Sequence, residues 1–196
     1  MLKNIIFDCS DTLLRFSGFE LLENIVGDSR RAENIYRSML NHPTWGLCDE
    51  GKADAEALAR DVLPLLDEPD RDYGRIYIDK WMTNYSVIDG IPELLADIKT
   101  KGYKLYLLSD FPDCFDKVVK QFPFFDLFDG MAVSYAYGTS KRSGGLFTAL
   151  LETYSLKADE CLFVDDLATN TAKAERLGMK ALRFTDADAV RKYLKL

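Results

Sequence analysis

Two hydrophobic rhythms divide the chain. Leu2, Ile5, Ile6 and Phe7 form an apolar run too short for an independent helix and rich in β-branched residues, which predicts a strand buried on both faces. The run stops at Asp8, and small polar residues follow. From about residue 16 to 85 the apolar positions take helical spacing, as in Phe19, Leu22, Ile25 and Val26, or Ala55, Leu58, Ala59, Val62, Leu65 and Leu66. Breaks at Gly27-Asp28, His42-Pro43 and Glu68-Pro69 cut this region into about four helices, with a loop over 43–51 long enough to carry function. From Gly90 onward the rhythm becomes strand and helix in alternation. Helices are expected near 92–101, 113–121, 146–154, 168–177 and 187–194, and strands at 104–108, 131–134, 161–164 and 181–184. Five short strands alternating with helices predict an α/β fold: a parallel five-stranded sheet covered on both faces, interrupted once by a helical insert.

In such sheets ligands sit beyond the carboxyl ends of the strands, near the point where strand order reverses. The expected strand ends carry an unusual set of side chains. The first ends in Phe7-Asp8, the second in Leu108-Ser109-Asp110 and the fourth in Val164-Asp165-Asp166, while the third crossover carries Gly138-Thr139-Ser140-Lys141. Taken singly, Asp8 suits a turn, Asp165, Asp166 and Ser109 suit helix N-caps, and Lys141 suits a solvated loop. Taken together, they place three carboxylates and one lysine at one edge of the sheet. Like charges a few ångströms apart in a partly desolvated site repel strongly, and a divalent cation is the natural remedy.

Composition narrows the chemistry. The net charge is −7 over 196 residues and no basic run occurs, so neither nucleic acid nor an anionic membrane is an expected partner. No apolar run approaches bilayer-spanning length, and no basic region precedes the first apolar run, so neither a membrane span nor a secretory leader is expected. The four cysteines, Cys9, Cys48, Cys114 and Cys161, are far apart, which fits a reducing cytoplasm better than a disulfide framework or a zinc ribbon. His42 is the only histidine, so histidine triads and multi-histidine metal sites are excluded. All-oxygen ligands then favour Mg²⁺ over zinc.

With these residues in view, the chain resembles the haloacid-dehalogenase-like (HAD) superfamily of hydrolases over essentially its whole length. That family's first motif, an apolar strand followed by Asp-x-Asp-Gly-Thr/Val, is matched by Asp8-Cys9-Ser10-Asp11-Thr12. Its second motif falls on Ser109, its Gly-x-x-Lys motif on Gly138–Lys141, and its acidic pair with a following Asp or Asn on Asp165, Asp166 and Asn170. The resemblance implies a Rossmann-like core over 1–14 and 87–196, with an α-helical cap domain over 15–86. Within the family, the spacing and wording resemble those of small sugar-phosphate phosphatases, together with the phosphatase half of soluble epoxide hydrolases. The resemblance further implies that Asp8 attacks a phosphoryl group and forms an aspartyl-phosphate. Mg²⁺ would be held by Asp8, the Ser10 carbonyl, Asp166 and, directly or through a second layer, Asp165. Ser109, Asp110 and Lys141 would face the substrate, a small phosphorylated metabolite.

The match departs from the pattern at four positions. Ser10 fills the slot of the usual second Asp, the acid–base, and a serine hydroxyl is too weak an acid to protonate a leaving group near neutral pH. Asp11 stands in the usual glycine slot, where it is expected to take a left-handed backbone with its side chain turned from the site. Asp110 replaces a common Asn and Arg142 a common Pro. Four readings therefore stay open: a Mg²⁺-dependent phosphatase, a 2-haloacid dehalogenase, a phosphonate- or phosphomutase-type variant, and a phosphate-binding protein without turnover. The insert is expected to govern specificity. Trp45 and Asp49, with His42 just before them, form a polar and aromatic set on the loop 43–51, although Trp45 is expected to pack between insert helices.

Overall fold

The computed structural model describes residues 1–81 and 84–196. In chain order it contains β1 (Asn4–Phe7), β2 (Leu14–Phe16), α1 (Gly18–Val26), α2 (Ser29–Leu40), α3 (Pro43–Asp49), α4 (Ala55–Val62), α5 (Glu68–Lys80) and β3 (Tyr85–Val87). There follow α6 (Ile91–Thr100), β4 (Lys104–Ser109), α7 (Phe115–Val119), β5 (Gly130–Val133), α8 (Ser134–Tyr137) and α9 (Gly145–Thr153). The chain closes with β6 (Cys161–Asp165), α10 (Ala168–Arg176), β7 (Lys180–Arg183) and α11 (Ala187–Leu194).

Five strands form one sheet in the order β5-β4-β1-β6-β7, with every pairing parallel. β1 lies at the centre, and all four of its residues are buried. Successive side chains of a strand point to opposite faces. Ile5 and Phe7 accordingly join the core formed with α6, α11 and the insert, while Ile6 joins Phe163, Tyr106 and Leu108 on the face covered by Leu146, Phe147 and Leu150 of α9. This two-sided burial is why β1 reads as a continuous apolar run rather than as an alternating one. The strand order reverses on either side of β1, so the site expected at a switch point is the carboxyl end of β1 between β4 and β6.

The insert departs from its expected form in two places. The stretch 43–51 is not a loop: Pro43 opens α3 at its first turn, and the His42 ring accepts a hydrogen bond from the Thr44 amide at 3.3 Å. Proline lacks the amide that a first-turn residue would leave unpaired anyway, so it starts this helix as readily as it stops the one before. Thr44 then donates to Asp61 at 2.8 Å and ties α3 to α4. The second departure is a two-stranded antiparallel ribbon of β2 and β3, pairing Leu14 with Val87 and Phe16 with Tyr85 at the point where the chain leaves and re-enters the core. Strands of three residues are too short to show alternation.

A row of rings runs from the insert through this ribbon into the core. Trp45 lies 5.1 Å from Trp81, Trp81 5.9 Å from Phe16, Phe16 5.0 Å from Tyr85, and Tyr85 5.3 Å from Phe111. Trp45 is thus an anchor of the insert. Trp45→Ala is expected to cost roughly 2–3 kcal/mol of stability, at the low end for a large-to-small change because the residue is half-buried. Urea denaturation measures that loss, and unaltered kinetics on several substrates would separate a packing role from a binding one.

The four cysteines are free and buried. Among the described residues, no helix is long and apolar enough to cross a membrane.

Candidate active site

Asp8 follows directly on β1, and its amide donates to the Val164 carbonyl at 2.9 Å, which extends the β1–β6 pairing by one residue. Burial of the strand carries Asp8 inward with it: 5% of its surface is exposed, against 4% for Lys141 and none for Asp165. Lys141 Nζ lies 2.6 Å from Asp8 Oδ1 and 2.9 Å from Asp165 Oδ2, so one ammonium bridges two carboxylates. Asp165 ends β6 and accepts four hydrogen bonds: the Lys141 ammonium, the Leu167 amide at 2.8 Å, and Asn170 Nδ2 at 3.1 and 3.0 Å on its two oxygens. α10 is capped by Leu167 and α7 by Cys114, so Asp165, Asp166 and Ser109 are not N-cap residues.

The loop carrying Lys141 leaves α8 at Gly138, whose φ of +64° needs a residue free of Cβ strain. It is clamped from two sides. Asp110 Oδ1 accepts the Lys141 amide at 2.7 Å, and Lys173 of α10 donates to the Lys141 carbonyl at 2.8 Å and to the Arg142 carbonyl. Lys173 carries no family motif and is not among the residues the motifs point to. It stands three residues after Asn170, on the same helix face, which is the only signal that could have found it.

These charges perturb one another. Burial pushes the Asp8 carboxyl up to about 7, with Lys141 pulling it down and Asp165 pushing it further up. For Lys141 burial works against the ammonium, but Asp8, Asp165 and Asp110 outweigh it, so the lysine stays charged. Asp166, half-buried, is raised by burial and then by Asp165 and Asp11. Asp8, Asp165 and Asp166 each offer a carboxylate oxygen, and these oxygens lie within 4.8 Å of one another. Three hard oxygen donors with a single lysine among them are a fitting donor set for Mg²⁺. The Ser109 hydroxyl at the end of β4 is fully buried and has no partner among the described residues, an arrangement a protein tolerates where a ligand completes it.

A cavity of about 710 Å³ opens over this group, lined by Asp8, Ser10, Asp110, Lys141 and Asp166 and rimmed by Arg142, Lys173 and Arg176. Ser10 faces the cavity and lies beside the Tyr85 hydroxyl. Asp11 takes the expected left-handed backbone, with φ +54°. Its carboxylate accepts the Phe16 amide at 3.2 Å, yet the residue also borders the cavity instead of turning wholly away. Of the insert's candidates, His42 caps α3 and Trp45 packs on Trp81. Asp49 alone lies against the catalytic edge. Its carbonyl accepts the Ser134 hydroxyl, which also accepts the Phe111 amide at 2.8 Å.

A family model described as "Hydrolase: haloacid dehalogenase-like hydrolase" matches residues 2–178. Flavin mononucleotide hydrolase 1 of Arabidopsis thaliana is 23% identical over 191 residues, covering 97% of this chain and 75% of its own. The sesquiterpene phosphatase astK of Aspergillus oryzae is 24% identical over 187 residues, covering 94% of this chain and 91% of its own. Among solved structures, a HAD family enzyme of Bacteroides thetaiotaomicron in complex with magnesium and inorganic phosphate superposes with a TM-score of 0.73. It is 20% identical and covers 95% of this chain and 96% of its own.

Proposed function

The chain belongs to the haloacid dehalogenase-like hydrolases, and from that premise we propose that it is a Mg²⁺-dependent phosphatase acting on a small phosphorylated metabolite. The observation that carries the reading is the buried row Asp8–Lys141–Asp165 beside Asp166, with the unpartnered Ser109 hydroxyl next to it. The names of two relatives, a flavin mononucleotide hydrolase and a sesquiterpene phosphatase, support a phosphate monoester as the substrate class, of which a sugar phosphate is one example. Residues 1–14 and 87–196 would act as the catalytic core and 15–86 as a cap, working in the cytoplasm on a substrate that is neither nucleic acid nor membrane.

In this mechanism Asp8 is the nucleophile. One carboxylate oxygen forms a bond to phosphorus as the bond to the leaving group breaks, and water then hydrolyses the aspartyl-phosphate. Lys141 and Ser109 hold the phosphoryl oxygens, and Lys141 also holds Asp8 in line. Asp110 positions Lys141 through its backbone amide. Asp8, Asp166, the Ser10 carbonyl and Asp165, directly or through a second layer, would hold Mg²⁺, which supplies charge neutralisation at the phosphoryl oxygens when bound.

Phosphate release from a broad panel of esters, measured with and without metal, tests the reading. EDTA is expected to reduce turnover to background, Mg²⁺ to restore it, and Ca²⁺ to fail, because Ca²⁺ favours higher and looser coordination. Undiminished hydrolysis of a 2-haloacid in chelator, with no phosphate released from any ester, would replace this reading with the dehalogenase one.

A further inference from the structure

A phosphatase with Ser10 in place of a carboxylic acid lacks a proton donor for its leaving group, and the fold narrows where another could come from. In an in-line displacement the leaving oxygen departs from the side of the phosphoryl group opposite Asp8. Six acidic, phenolic or imidazole groups stand near enough to consider. Asp11 borders the cavity, but its carboxylate accepts the Phe16 amide at 3.2 Å. Asp110 is committed to the Lys141 amide. Glu50 pairs with Lys52 at 2.7 Å and is held below its ordinary range by Lys52 and then Ser140. Tyr85 reaches Ser10, but burial pushes its phenol well up and makes it too weak an acid. His42 caps the far end of α3. Asp49 remains.

Resting on the phosphatase reading, we propose that Asp49 is the general acid of this enzyme, delivered from the insert to replace the carboxyl missing at Ser10. Three contacts hold it against the catalytic edge. The Ser134 hydroxyl donates to the Asp49 carbonyl while accepting the Phe111 amide, so one side chain ties the end of α3 to the residue after Asp110. Glu50 lies beside Ser140, which precedes Lys141. Gly51 takes φ +65° and lies so close to the core that a Cβ there would come within 2.4 Å of the Tyr135 carbonyl oxygen. Asp49 lines a small pocket beside the catalytic cavity with Asp54 and Asp113, and the other charged groups facing it are Glu50 from its own segment and Asp110, Arg142 and Lys141 from the core, the last three of which line the cavity. Burial, then Asp110, push the Asp49 carboxyl up to about 7, with Arg142 opposing. Its place as the last residue of α3 adds to this, since a helix C-terminus disfavours a negative charge. A carboxyl half-protonated near neutral pH is suited to both halves of the reaction. As the phosphorus–oxygen bond breaks, the leaving oxygen takes the electron pair and the Asp49 proton. The resulting carboxylate then accepts a proton from the water that attacks the aspartyl-phosphate.

The test compares 4-nitrophenyl phosphate, whose leaving group needs no proton, with a set of primary alkyl phosphates, using the Mg²⁺-loaded full chain. Asp49→Asn is expected to lower kcat/KM on the alkyl esters by ~10²–10⁴-fold and on 4-nitrophenyl phosphate by less than about tenfold. Wild-type kcat/KM on alkyl esters should fall as pH rises through about 7, where Asp49 loses its proton, and the variant should lack that limb. Adding Ser10→Asp to Asp49→Asn should recover part of the alkyl-ester rate. The assignment is overturned if Asp49→Asn slows both substrate classes equally or neither. It is also overturned if the wild type depends on leaving-group basicity as steeply as the variant. A wild type that releases phosphate from no ester at all overturns the phosphatase reading and this assignment with it.

Discussion

Asp8→Asn is expected to abolish turnover, with kcat on any phosphate ester falling on the order of 10⁴-fold or more, while the protein stays folded. The amide has nearly the same shape but offers no nucleophilic oxygen. Folding should survive because wild-type Asp8 is itself held in an unfavourable place: burial pushes its carboxyl up to about 7 in the absence of metal. Replacing it removes a buried charge and leaves Lys141 paired with Asp165 at 2.9 Å. In metal-free buffer at pH 8 the variant should therefore melt at or above the wild-type temperature. Trapping of a phosphoryl group on the wild-type chain by rapid quench, and its absence in the variant, would check the nucleophile directly. Retention of most of the wild-type rate would remove Asp8 from that role.

Lys141→Ala should have the largest effect on the fold and a severe effect on the rate. Lys141 bridges Asp8 and Asp165, and all three are almost wholly buried. Removing it leaves two carboxylates facing each other without a cation, a change that typically costs about 3–5 kcal/mol. Loss of an electrostatic clamp on the phosphoryl oxygens should cut kcat by roughly 10²–10³-fold at least. The deficit in stability should depend on pH with a definite sign. Asp8 is already raised in the native state, so the folded protein binds more protons than the unfolded chain between the ordinary carboxylate range and about 7, and stability falls as pH rises through that window. Without Lys141 the Asp8 carboxyl rises further. The loss measured by urea denaturation in metal-free buffer should thus be greatest above pH 7 and shrink as pH falls toward 5. A loss that did not vary with pH would mean that the lysine serves packing more than charge.

Much of the fold was legible because its strands are buried on both faces and end abruptly. Apolar runs closing on Phe7-Asp8, Leu108-Ser109-Asp110 and Val164-Asp165-Asp166 mark strand ends as clearly as they mark chemistry. α3, α8 and the β2–β3 ribbon were not legible, for they are too short to develop a period. At Pro43 the same residue that ends one helix begins the next, and reading it only as a stop turned α3 into a loop. Lys173 stayed hidden because its role is to hold two backbone carbonyls of a distant loop, and such a role leaves no motif.

By itself, then, the sequence determined the class of fold, the order of its elements and the residue types at each strand end. Those follow from periodicity and from the cost of ending a buried run in a carboxylate, both of which are local. Tertiary structure alone decided the distances: one ammonium between two carboxylates, a Ser109 hydroxyl left without a partner, and the end of α3 fastened to Ser134 beside Asp110. These depend on the strand order around β1 and on how the insert packs back onto the core through Trp45, Trp81, Phe16 and Tyr85. Pairing between segments far apart in the chain is a property of the packed whole, and no local pattern encodes where Asp49 comes to rest.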